Sequence, residues 1–276
     1  MLRWWWKDRW ERKLFYGFLA SVTLLLVVKI KFPVPAFMAS PDWACLISAL
    51  QSKAFEDIVG DLMTGIAAAY IFYIFIEIFP RHHREKNSLR TLNYILASVV
   101  DSYVNIRTFG HEDLISHNDL SLLESQNTKK LIDELLRKCE KLEFSAQDFA
   151  RLRVMLWCVD SRIHDIRLAL PLAANLSPEH ALHWLQLAER ARLIHDLFGK
   201  EPVGMDGCFE PEHVFGDPSR GMDDSNDLYV AYRQGLIFYA AGLAQRIAQF
   251  VEEIEVWMKL PVESVSTSLE PHRLVD

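Results

Sequence analysis

Two His-Asp pairs are the first groups in this chain that could do chemistry: His164-Asp165 within "RIHDI" and His195-Asp196 within "RLIHDL". An imidazole and a carboxylate that meet can ligate a divalent cation, and a bound metal brings the pKa of its water toward neutrality. The four residues together could therefore serve a metal hydrolase. His180 and His183, three residues apart on a predicted helix, would add imidazoles on one face. None of these spacings is diagnostic, because His-Asp pairs also occupy the wet edges of amphipathic helices. Glu210, Glu212, His213 and Asp217 could hold a cation as well, although a solvated acidic loop accounts for them more simply.

Arg190 and His195 match the R-x4-H spacing of helical HEPN-type ribonucleases. About two such matches are expected by chance in a chain of this composition. Ala191 also stands where that family favours a polar residue. The chain is read as carrying no catalytic residue, no cofactor and no metal, with the hydrolase and the ribonuclease kept as alternatives.

The elements that would hold these residues follow from composition and periodicity. Of 276 residues, 50% are hydrophobic and 24% charged, enough for a membrane anchor plus one domain. Residues 1–86 carry 11 Lys+Arg against 8 Asp+Glu, a net +3, and residues 87–276 carry 19 against 29, a net −10. An acidic body argues against direct nucleic-acid binding, which needs concentrated basic charge. The four cysteines (Cys45, Cys139, Cys158, Cys208) form no CxxC, and reduced thiols in a cytoplasmic domain are the simpler reading.

Residues 14–32 form a first apolar run near the roughly 20 residues a bilayer-spanning helix needs. Trp4, Trp5, Trp6 and Trp10 precede it as an interfacial belt. A basic start before an apolar core also fits a cleavable signal, but "PAFMAS" lacks a clean A-x-A site. Residues 58–79 form a second run whose 22 residues would extend about 33 Å as a helix. Asp61 and Glu77 fall about one turn from its opposite ends, and no polar face lies between them.

Five Lys/Arg precede the first span, and Arg81, Arg84, Lys86 and Arg90 follow the second, with Lys53 alone in between. Both termini are therefore expected in the cytoplasm, with Arg81 and Arg84 as interfacial anchors. The connector 33–57 opens on Ser40 and Pro41 and reads as a short amphipathic helix on the outer surface.

Beyond Pro80 the pattern is helical nearly throughout. Leu89, Leu92, Leu96, Val99, Tyr103 and Ile106 recur at spacings of three and four. Further helices are expected over 129–142, after the capping box Ser145/Asp148, from Ser177-Pro178 to about Phe198, and from Asp227 to Leu260. The fold class is all-α: a two-span helical hairpin, then a cytoplasmic bundle of about five helices over 80–260. Residues 199–226 read as a long loop and 261–276 as a tail. The 89–106 stripe could instead pair copies as a coiled coil, and bundle core is the simpler expectation.

The second span carries Gly60, Thr64 and Ala68 in one row, and Asp61, Gly65 and Ala69 in the next. Small residues four apart let helices approach closely, so Gly60, Thr64, Gly65, Ala68 and Ala69 form a candidate packing face. It would meet either the first span or another copy of the chain. In an assembly Asp61 and Glu77 could form charged rings, while in a single chain they would reach the interfaces.

A basic start, a two-span hairpin, an aromatic second span ending "YIFYIFIEIFPRHHREK" and a helical body resemble the two-transmembrane effectors of bacterial anti-phage systems, including some retrons. The likeness spans the layout of the chain and is closest over 70–86. It implies an inner-membrane, toxin-like effector held silent by a cytoplasmic partner complex, which for a retron is a reverse transcriptase with its RNA–DNA hybrid. On that reading the other partners are the lipid bilayer and further copies of the chain. A passive membrane-anchored scaffold, recruiting partners through its bundle, is the alternative.

Overall fold

The computed structural model describes residues 9–30, 53–106, 118–204, 211–215 and 226–261. Among them every regular element is helical. The chain divides into two compact units, the first ending at Glu85 and the second beginning at Lys86.

In the first unit, α1 is Arg9–Ile30 and α2 is Lys53–Tyr73. They pack antiparallel: Ser21 Oγ donates to the Met63 carbonyl at 3.2 Å, and the Phe18 and Tyr70 rings stack with centroids 4.7 Å apart. The Trp10 position falls in α1, whereas Trp4, Trp5 and Trp6 lie outside the described residues. So does the expected connector helix, apart from the residues that begin α2.

The helix does not end at Pro80. A π-helical turn, Ile74–Ile78, follows α2 and leads directly into α3, Phe79–Asn105. Proline has no N–H, and its ring collides with the carbonyl four residues back in a regular helix. Here the turn before it widens, and Phe79 N–H donates to the Ile74 carbonyl five residues back. Helix α3 ends at Asn105, and the φ of 49° at Ile106 places a β-branched residue in the left-handed region.

The second unit is a helical bundle. It contains the main part of α3, then α4 (Ser125–Lys141), α5 (Ala146–Leu168), the short α6 (Leu170–Ala174), α7 (Pro178–His195), the short α8 (Pro211–Phe215) and α9 (Asp227–Lys259). A single 3₁₀ turn, Leu120–Leu123, precedes α4. The polar contacts fix the packing order. Tyr103 of α3 lies under Arg151 of α5, Trp184 of α7 donates to the Ile166 carbonyl of α5, and Arg190 of α7 bonds Gln249 of α9. Helix α4 runs antiparallel to α9, with Ser125 bonded to Glu255 and Cys139 to the Ala241 carbonyl.

Leu92, Leu96, Val99 and Tyr103 are buried in this core, so the 89–106 stripe serves the chain's own bundle. Pro171 sits in the first turn of α6, where its missing N–H costs nothing. The expected 199–226 loop is likewise not featureless, because α8 lies within it and Phe215 packs on Phe149 at 4.8 Å. Cys139 and Cys158 are free thiols, and burial pushes both upward in pKa.

The capping box read from the sequence is present. Ser145 Oγ accepts from Asp148 N–H, and the Asp148 carboxylate accepts from Ser145 N–H. Burial opposes ionisation of Asp148, but hydrogen bonds from Lys138 and Ser145 outweigh it and hold the carboxyl below its usual range. A depressed carboxyl stabilises the fold above its unfolded pKa, and that stabilisation is lost as the pH falls through its folded value. Asp148→Ala should therefore cost roughly 1 kcal/mol at neutral pH, with the difference from wild type shrinking below about pH 4. Urea unfolding at pH 7 and pH 3 checks this; an equal cost at both would contradict it.

Candidate functional site: the outward face of the apolar helix

The run Asp57–Asn105 is the helix among the described residues that is long and apolar enough to cross a membrane. Only 11% of its apolar window is buried, whereas the core helix of a soluble protein is mostly covered. Phe72, Phe75 and Ile76 are each more than 60% exposed. Exposed aromatic and branched side chains at this density form an apolar surface far beyond the scattered residues normal on a soluble protein.

The face that α2 turns to α1 contains Met63, Ala67 and Tyr70, all half-buried, together with the buried Gly60. On α1 the matching stripe is Phe15, Phe18, Ser21 and Leu25. Thr64, Gly65, Ala68 and Ala69 point elsewhere and are exposed. Of the five small residues proposed from spacing, four thus share an outward face and Gly60 alone is covered. The Thr64 hydroxyl donates to the Gly60 carbonyl at 2.7 Å, so this face carries no unsatisfied donor there. A Cβ added at Gly65 would meet nothing within 4 Å.

Asp61 is exposed on α2, and Glu77 is exposed within the π turn. Among the anchors, Arg81 pairs with Glu85 at 3.0 Å, and Arg84 Nε reaches the Pro80 carbonyl at 3.4 Å.

The histidines and aspartates of the bundle do not converge. His164 and Asp165 are exposed near the end of α5, with Asp165 3.7 Å from Arg162. His195 meets Asp160 at 2.8 Å, and Asp196 meets Arg192 at 2.9 Å. His183 pairs with Glu253 at 2.8 Å, and His180 Nδ1 lies 2.7 Å from its own helix cap, Ser177. Arg190 and His195 are engaged by different helices, α9 and α5. No cluster of three metal-ligating side chains occurs among the described residues. Glu212 and His213 fall in α8, while Glu210 and Asp217 lie outside the described residues.

The pairing of His195 with Asp160 was not legible in the sequence, since 35 positions separate the two and only the antiparallel packing of α5 on α7 joins them. Comparison with protein families, curated proteins and solved structures finds no match to this chain.

Proposed function

We propose that this chain is an inner-membrane effector of an anti-phage defence system, which permeabilises the membrane when a partner complex triggers or releases its helical body. On this reading α1 and residues 58–79 cross the bilayer as two spans, with both termini in the cytoplasm. The observation that carries it is the division of labour on α2. One face packs on α1, and the opposite small-residue face, Thr64, Gly65, Ala68 and Ala69, stays open to a second copy. Without a hydrophobic driving force between helices in lipid, close backbone approach across such small residues is what drives association. Assembly would gather Asp61 and Glu77 into rings toward opposite membrane faces, as in cation-conducting pores.

The bundle needs no membrane to bury its own core, which suits a receiving or binding module. Replacing residues 58–79 with an unrelated apolar helix of equal length separates an effector from a passive anchor. Loss of growth inhibition in the swapped, still inserted protein is expected. Full retention would transfer the function to the bundle and make the hairpin an anchor only.

A further inference from the structure

We infer that the π turn Ile74–Ile78 is a register device held in place by Pro80, setting the rotational phase between the small-residue face of α2 and the basic end at Arg81 and Arg84. The chain passes from α2 into α3 without a loop, so any break in phase has to be made inside the helix itself. The turn makes one, through the bond from Phe79 N–H to the Ile74 carbonyl five residues back. Single π turns inside α-helices occur frequently at functional sites.

Each residue of an α-helix advances about 100° around the axis and 1.5 Å along it. Absorbing one additional residue in the turn therefore rotates everything beyond it by about 100° and shifts it by about 1.5 Å. The sequence shows what that rotation changes. Ala67, Tyr70, Ile74, Ile78, Arg81 and Glu85 are spaced three and four apart, so in an unbroken α-helix they would form one stripe. Ala67 and Tyr70 belong to the face that packs on α1. A regular helix would thus align Arg81 with that face, and beyond the π turn Arg81 is exposed, while Ile78 and Glu85 are buried.

Pro80 supplies the bias between the two forms. In the regular form its ring would press on the Ile76 carbonyl, and the widened turn removes that contact. Relaxation of the turn into α-helix rotates the Thr64–Ala69 face against the headgroup-level cations, which is a way to present or withdraw the assembly surface. The turn itself does not depend on the membrane reading; its consequence for assembly rests on it.

Backbone 15N–1H residual dipolar couplings over residues 62–85, measured on the full chain in weakly aligned detergent micelles, test the turn directly. They oscillate with the helical period, and a π turn appears as a jump in phase. Wild type should show a jump of about 100° between residues 73 and 79. Pro80→Ala should give one uninterrupted wave, and this variant removes a helix breaker, so it does not threaten folding. An unbroken wave in wild type, or a jump that survives the substitution, would overturn the inference. In cells, Pro80→Ala should reduce entry of a membrane-impermeant dye to the level of an uninduced control. Unchanged dye entry alongside a lost jump would remove the regulatory role. Failure of the chain to float with lipid vesicles would instead sink the membrane reading and leave the dipolar result standing.

Discussion

Trp257→Ala should destabilise the helical bundle by about 3–5 kcal/mol, the range for deleting a large buried aromatic. Trp257 is fully enclosed near the end of α9. Its ring lies edge-on to those of His180 and Trp184, with centroids 5.2 and 5.3 Å away. Its indole N–H donates to Asn93 Oδ1 at 2.9 Å, so one side chain ties α9 to both α7 and α3. Truncation opens a cavity and leaves the Asn93 amide oxygen buried without its donor, and the two losses add. Trp257→Phe separates them, because it keeps most of the ring and should cost about 1–3 kcal/mol from the orphaned amide. For a unit of this size the alanine variant should melt roughly 10 °C lower, read by far-UV circular dichroism. A shift within error of zero would mean that α3 is not held by this contact.

Gly65→Ile should abolish self-association while leaving the single chain intact. The added Cβ has open space around it, and isoleucine is a better helix former than glycine, so nothing within one chain opposes the change. A second copy approaching across Thr64, Gly65, Ala68 and Ala69 would meet a branched side chain where the backbone was bare. Small-residue interfaces depend on that bareness, since van der Waals contact between backbones supplies the association. Cross-linking in native membranes should give oligomer ladders for wild type and monomer for Gly65→Ile. Ladders of equal strength would place any assembly surface elsewhere. A Cβ added at Gly60 would likewise meet nothing within 4 Å, although Gly60 itself is buried on the face turned to α1.

Much of the bundle was legible in the sequence because local signals and tertiary demands coincide there. Ser145 and Asp148 announce the start of α5 through a reciprocal hydrogen-bond pattern that needs only three residues of spacing. The stripe from Tyr232 to Trp257 announces α9, since an amphipathic helix must repeat its apolar face every turn. The candidate face was legible in part. Spacing places Gly60 and Thr64 in one row, but cannot say which way a row points; that is decided by Ser21 and Phe18 of α1, more than 40 residues away. The π turn was hidden for a different reason. Pro80 signals that a regular helix is obstructed, yet termination, kinking and widening all answer that signal, and the choice is made by the surrounding backbone. The partners of the His-Asp pairs were not legible either. Adjacent residues project in different directions from a helix, so His195 and Asp196 find separate partners, Asp160 and Arg192.

The central claim is that the outward face of α2 carries a membrane-damaging activity. Its most direct test is dye entry in bacteria expressing the full chain beside bacteria expressing Gly65→Ile, at matched amounts of inserted protein and with the partner complex absent. Entry of a membrane-impermeant dye with wild type, and its loss with the variant, is the predicted result. Equal dye entry in both would contradict it.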